Sequence, residues 1–214
     1  MRFEIARDRL RHVPAALPSG PRSLDPVTVP VEGRPSWVGP AASRPPRDAA
    51  VLVLLYPGSD GLAHVVLTER PIGDLRHSGQ ISFPGGAMDP GDDFPIGTAL
   101  REAAEEVALD VDEAGVEPLG LLGTVDMRGV SGFIVVPVVA VAAREPVLVP
   151  HQREVASILR VPAAAFLPAA PIQIVEDERD GYRLRYGAYH FEGHVIWGAT
   201  ARILGQLGAI LGDA

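Results

Sequence analysis

The stretch Gly85–Leu109, GGAMDPGDDFPIGTALREAAEEVAL, constrains this chain more than any other. It opens on a glycine pair directly after Pro84, passes through an acidic loop containing Gly and Pro, and then takes on helical periodicity. At about 3.6 residues per turn, Glu102, Glu105 and Glu106 project from one side of that helix. Ala99, Leu100, Ala103, Ala104 and Val107 supply an apolar complement. Like charges at this spacing repel by about 0.2–0.5 kcal/mol per exposed pair. A divalent cation with a preference for hard oxygen ligands, Mg2+ or Mn2+, turns that repulsion into attraction. Taken alone, REAAEE reads as a solvated helix face. Such a face requires neither the glycine turn upstream nor the apolar stripe on the same helix.

Glutamates in this arrangement, behind a glycine turn, resemble the Nudix box, G-x5-E-x7-R-E-U-x-E-E-x-G-U with U aliphatic. Gly86 matches the first glycine, Arg101 and Glu102 the R-E pair, Ala103 the aliphatic place, Glu105 and Glu106 the E-E pair, and Leu109 the last aliphatic position. Asp92 stands where the first glutamate belongs, the gap from there to Arg101 is one residue longer, and Ala108 replaces the final glycine. The first two departures resemble the coenzyme A pyrophosphatase branch of the family, which reads GGxxDxxD followed by TALREAxEE. Ala108 bears only on how the helix exits, because glycine there eases a left-handed C-terminal turn. Immediately upstream, LTERPIGDLRHSGQISFPGG (Leu67–Gly86) resembles the second signature of that branch, with Pro71 in place of a small residue and the Leu75-Arg76 pair one residue late.

The resemblance implies the αβα sandwich of the family, an α/β (α+β) fold with a mixed β-sheet, over about residues 48–212. The residue patterns are compatible with it. Ala50–Tyr56 is an apolar run suited to a strand covered on both faces, returning through Pro57–Gly61 into a second strand over Ala63–Glu69, as a hairpin. Gln80–Phe83 is a short strand before the glycine pair. The helix is expected to start near Phe94, with Asp93 as N-cap and Pro95 in its first turn. Val116–Val125 and Phe133–Ala142 read as a second strand pair, Pro137 implying an edge or a bulge. Val155–Val161 is a further strand, and Tyr182–Tyr186 and His190–Ile196 read as a hairpin across a Gly-Ala-Tyr turn. Thr200–Leu211 closes the chain as a helix with a core-facing stripe at Ile203, Leu204, Leu207, Ile210 and Leu211. Residues 1–48 are rich in Pro and Gly and read as an arm or extension, with a short helix in the first ten residues and Trp37 as an anchor; residues 49–214 form the domain.

Charge and composition remove other classes. The net charge is 19 − 27 = −8, which disfavours broad binding to nucleic acid. The absence of cysteine excludes disulfides, thiol catalysis and thiolate zinc. No apolar run reaches the roughly 20 residues of a membrane helix, and MRFEIARDRL lacks a signal-peptide core, so a cytoplasmic protein is expected.

Hydrolysis of a phosphoanhydride needs activated water, neutralised phosphate oxygens and a stabilised leaving phosphate, which Mg2+ or Mn2+ held by carboxylates can serve. By resemblance the metal ligands are Glu102, Glu105 and Glu106, with backbone oxygen from the Gly86 region. Arg101 either holds the loop through Asp92 or pairs with Glu105. Arg70 and Arg76 are candidate diphosphate contacts because guanidinium groups bind phosphate as a fork, with His77 and Gly85 beside them. Glu105 and Glu154 are the candidates for the general base. The implied partner is a small-molecule diphosphate: coenzyme A or its thioesters first, then ADP-ribose, NADH or a nucleoside triphosphate. A non-catalytic binding module is the reading from another class, and homodimerisation stays open.

Overall fold

The run Ala50–Tyr56 is apolar on both of its faces, so the chain must cover it from both sides. In the computed structural model, which describes residues 1–12, 16–30, 45–73, 79–179 and 182–212, it lies at the centre of the molecule. The elements in order are α1 (Phe3–Arg11), β1 (Val27–Pro30), β2 (Arg47–Pro57), β3 (Ala63–Glu69), β4 (Ile81–Ser82), β5 (Gly85–Ala87), α2 (Ile96–Val107) and α3 (Val111–Ala114). They continue with β6 (Val116–Leu121), β7 (Val125–Met127), β8 (Phe133–Ala142), β9 (Ser157–Pro162), β10 (Gln173–Arg179), β11 (Tyr182–Phe191), β12 (His194–Ile196) and α4 (Gly198–Gly212). Trp37, Arg76 and His77 lie outside the described residues.

An eight-stranded mixed sheet has the order β4-β3-β2-β8-β6, with β5 on β2, β7 on β8 and β9 on β3. Alternation along β2 divides the interior in two. Ala50, Leu52, Leu54 and Tyr56 meet Ala99, Ala103 and Val107 of α2. Val53 and Leu55 meet the other core, which contains Leu204, Leu207 and Leu211 of α4. The result is the expected helix–sheet–helix sandwich. The stripe on α4 is buried as expected, and Phe3, Ala6 and Leu10 of α1 join the same core. A smaller sheet of order β1-β11-β10, with β12 on β11, carries the late strands. Among the described residues no helix is long and apolar enough to cross a membrane.

One feature of the sheet positions the site. β3 pairs with β2 only between Leu55↔Val65 and Pro57↔Ala63. β5 takes the other end of the same β2 edge, at Ala49–Val51. Between the two, the Leu52 amide donates to the Pro84 carbonyl at 2.8 Å. The segment from β4 to β5 therefore fills a splay between β2 and β3 and brings Pro84, Gly85 and Gly86 under α2.

Four local expectations need correction. Gly187-Ala188-Tyr189 is mid-strand in β11, and the reversal comes at Glu192 and Gly193, both with positive φ. Glycine at 187 answers a close approach instead, since a Cβ there would lie 2.5 Å from the Ser23 carbonyl oxygen. α2 begins at Ile96 after Pro95, without a side-chain cap from Asp93. Pro137 sits in a central strand rather than at an edge. Its carbonyl accepts from Leu122 at 3.0 Å, where β6 ends and β7 has yet to begin, so its missing N–H points at a gap in the partner strand. Finally, Ala104 is exposed and does not join the apolar stripe of α2.

Ala108 is the C-terminal cap of α2 in the left-handed region, with φ 54°, and the Leu109 amide reaches back to Ala103 O at 3.3 Å. A Cβ in that conformation costs about 1 kcal/mol. Ala108→Gly is therefore expected to raise stability by up to about 1 kcal/mol, less some backbone entropy, read from the urea midpoint. An unchanged or lowered midpoint contradicts the cap assignment.

Candidate active site

Arg101 is the centre of the acidic region. Its Nε donates to Asp92 Oδ1 at 3.1 Å, and its Nη2 donates to Asp92 Oδ2 at 3.0 Å and to the Ala87 carbonyl at 3.1 Å. Its Nη1 faces Glu102 at 3.0 Å and Glu105 at 3.1 Å. The two alternatives for this arginine thus coexist: it ties the loop to the helix and holds the helix carboxylates. Asp92 also accepts from Thr98 Oγ1 at 2.8 Å and from the Asp89 amide at 3.0 Å. The Arg101 guanidinium, with these donors, holds the Asp92 carboxyl well below the usual carboxylate range.

The three glutamates differ in depth. Glu106 is 6% exposed, and its Oε2 accepts from the Gly85 amide at 3.2 Å. Burial pushes its carboxyl up to about 7, against the pull of that amide and of Arg70. Glu102 is intermediate; its carboxylate lies so close to Gly86 that a Cβ there would sit 2.5 Å from Oε1. Burial raises Glu102 too, opposed by Arg101. Glu105 is exposed and leans on Arg101. With Arg101 drawing two of the carboxylates, no three Asp, Glu or His side chains among the described residues converge as a ready coordination sphere.

Glu154 comes from far along the chain. The loop after β8 is fastened to the end of α2, with the His151 amide donating to Glu106 O at 2.8 Å and the Val149 amide to Val107 O at 2.9 Å. The negative charge of Glu154 accordingly adds to that felt by Glu102 and Glu106. Arg70 follows β3 and is exposed, close enough to Glu106 to pull its carboxyl down. So Arg70, Gly85, Gly86, Arg101, Glu102, Glu105, Glu106 and Glu154 gather in one region. The residues behind them that the sequence did not single out are Thr98, which faces Asp92 one turn before Arg101, and Glu69, which accepts from Ser157 Oγ at 2.8 Å and lies 3.9 Å from His194 Nδ1. Thr98 could have been found from its helical spacing to Arg101; the Glu69 contacts depend on pairing of distant strands.

The profile of the NUDIX domain matches residues 46–179. The chain belongs to the Nudix family. A relative named Nudix hydrolase NudL from Pectobacterium atrosepticum is 37% identical over 169 residues, covering 78% of this chain and 84% of its own. The NudL protein of Photorhabdus laumondii is also 37% identical, over 143 residues, covering 67% of this chain and 74% of its own. Among solved structures, the Nudix hydrolase RenU of M. smegmatis superposes with a TM-score of 0.47 at 27% identity, covering 56% of this chain and 73% of that one. Nudix hydrolases are pyrophosphohydrolases that act on small-molecule diphosphates and generally use divalent metal ions.

The Asp92–Arg101 fork gives a signed pH prediction. The folded-state value of Asp92 is depressed below its ordinary 3.8. Its contribution to stability is therefore complete above about pH 4–5 and disappears as the pH falls through the folded-state value. Asp92→Asn should be less stable than the parent at pH 7, with the gap shrinking below about pH 4. Unfolding curves at both pH values check this; a gap that is constant down to pH 2 contradicts it.

Proposed function

We propose that this chain is a metal-dependent hydrolase of the diphosphate in coenzyme A or its thioesters, releasing 3′,5′-ADP and the (acyl-)4′-phosphopantetheine. The observation that carries the reading is the gathering of Glu102, Glu106, Glu154 and Arg70 around the Gly85–Gly86 turn, directly behind the signature Leu67–Gly86. Two features of the region fit a divalent cation. The donors are hard carboxylate oxygens, which suit Mg2+ or Mn2+, and the Glu102 carboxylate lies directly against the Gly86 backbone, in the space a Cβ would take. Glu102, Glu105 and Glu106, with backbone oxygen from the Gly86 region, are the groups that would hold the ion. A bound cation supplies charge neutralisation on the diphosphate and activation of water.

The remaining work belongs to side chains. Arg70 and Arg76 offer guanidinium groups to the diphosphate oxygens, with the His77 imidazole assisting them. Glu105 and Glu154 are the candidates for accepting the proton of the attacking water on a carboxylate oxygen. Arg101 keeps the Ala87 backbone and the helix in register. To hold a cation, the Glu102 and Glu105 carboxylates would turn toward it from the Arg101 guanidinium that each now faces.

Two experiments test this. Incubation with coenzyme A and Mg2+ or Mn2+, beside ADP-ribose and NADH, should give metal-dependent 3′,5′-ADP faster than the other two are consumed. Cleavage of the others alone would remove the coenzyme A assignment and keep the hydrolase. Separately, Glu105→Gln and Glu106→Gln should lose turnover by at least about 100-fold, the scale of one lost electrostatic contact to a transition state. Glu105→Gln should leave the metal-free melting temperature nearly unchanged, because that side chain is exposed. Glu106→Gln should not lower it, because it removes a buried charge. Retained activity in both variants would overturn the carboxylate assignments.

A further inference from the structure

The α4 side of the sheet, away from the acidic helix, holds a cavity of about 270 Å3 between the N-terminal segment and the domain. Its walls come from Ser19, Gly20 and Arg22 on one side and from Thr124, Arg202 and Gln206 on the other. The walls are held in place. Gln206 accepts from the Gly123 amide at 2.7 Å and donates to Pro18 O at 3.1 Å. A Cβ at Gly20 would lie 2.8 Å from the Gln206 nitrogen, so the segment rests directly on α4. Arg202 engages Asp25 through Nε at 2.9 Å, which orients its guanidinium. Arg22 has no ion-pair or hydrogen-bond partner for its guanidinium among the described residues. Two arginines against one aspartate make the cavity net positive in a protein of net charge −8.

We propose that this cavity binds a small phosphate-bearing anion, which clamps the segment around Ser19–Asp25 onto the domain. Ligand pockets for larger molecules run from about 300 to 1,000 Å3, so this one suits a compact anion rather than a dinucleotide. Guanidinium groups present planar forks to phosphate oxygens. Ser19 and Thr124 line opposite walls and carry hydroxyls that can donate to phosphate oxygens beside the guanidinium groups. The site is separate from the acidic helix and does not depend on the substrate assigned there.

The test is calorimetric titration of inorganic phosphate into the full chain in chelator, so that no cation draws phosphate to the glutamates, with ionic strength held by KCl. One saturable site is expected, weakened at least tenfold in Arg22→Gln and also weakened in Thr124→Val. Hydrogen exchange should show protection at the amides of residues 19–25 and 123–125. Arg22 is exposed, so Arg22→Gln should keep the parent's melting temperature without phosphate and its metal-dependent turnover. Absence of saturable binding, equal binding by both variants, or protection confined to residues 85–106 would overturn the proposal.

Discussion

The Arg101 guanidinium is the contact on which the acidic region depends. It grips both oxygens of Asp92, the Ala87 carbonyl, and the carboxylates of Glu102 and Glu105. A loop of Asp, Gly and Pro has little apolar surface with which to order itself. Here it is ordered by a bidentate, charge-assisted pair to the helix that follows it. Lysine could not substitute, because a single ammonium lacks the planar fork that reaches Asp92 and the backbone together.

Behind that contact lies a choice made by the sheet. Because β3 leaves β2 after three residue pairs, the Pro84–Gly86 turn enters the splay and its backbone comes up against α2. Only glycine tolerates this at 85, where φ is 155° and a Cβ would lie 2.4 Å from the Ala50 carbonyl oxygen; at 86 a Cβ would displace the Glu102 carboxylate. The same packing buries Glu106 beside the Gly85 amide. A buried carboxylate with one amide donor is expensive unless a positive charge is nearby, and Arg70 is exposed to solvent. The apolar stripe of α2 thus does two jobs: it seats the helix on β2 and draws one glutamate out of water.

Much of this was legible in the residues. The two-sided burial of β2 follows from an unbroken apolar run, and the faces of α2 and α4 follow from helical spacing. The convergence of Arg101 and Asp92 was readable because both lie in one short segment. Depth was not: periodicity sets the direction of Glu102, Glu105 and Glu106, but the approach of the Gly85–Gly86 backbone decides that Glu106 is buried and Glu105 exposed. Features that depend on distant pairing were hidden as well. Gly187 looked like a turn because its reason, the Ser23 carbonyl in the turn that precedes β1, lies far away in sequence. Pro137 looked like an edge signal because the break between β6 and β7 that accommodates it belongs to another strand. Glu154 was within reach of inference only by resemblance, since the backbone ties from His151 and Val149 to α2 bring it home.

The central claim is that the glutamate face of α2 and the Gly85–Gly86 turn together hold a divalent cation. Anomalous diffraction from crystals soaked in Mn2+ tests it most directly. The account predicts a peak bound by Glu102 and Glu106 carboxylate oxygens at about 2.1–2.2 Å, close to the usual length for a small hard cation, with the Gly86 backbone alongside. A peak only on exposed carboxylates such as Asp89, with Glu106 still facing the Gly85 amide, would contradict it.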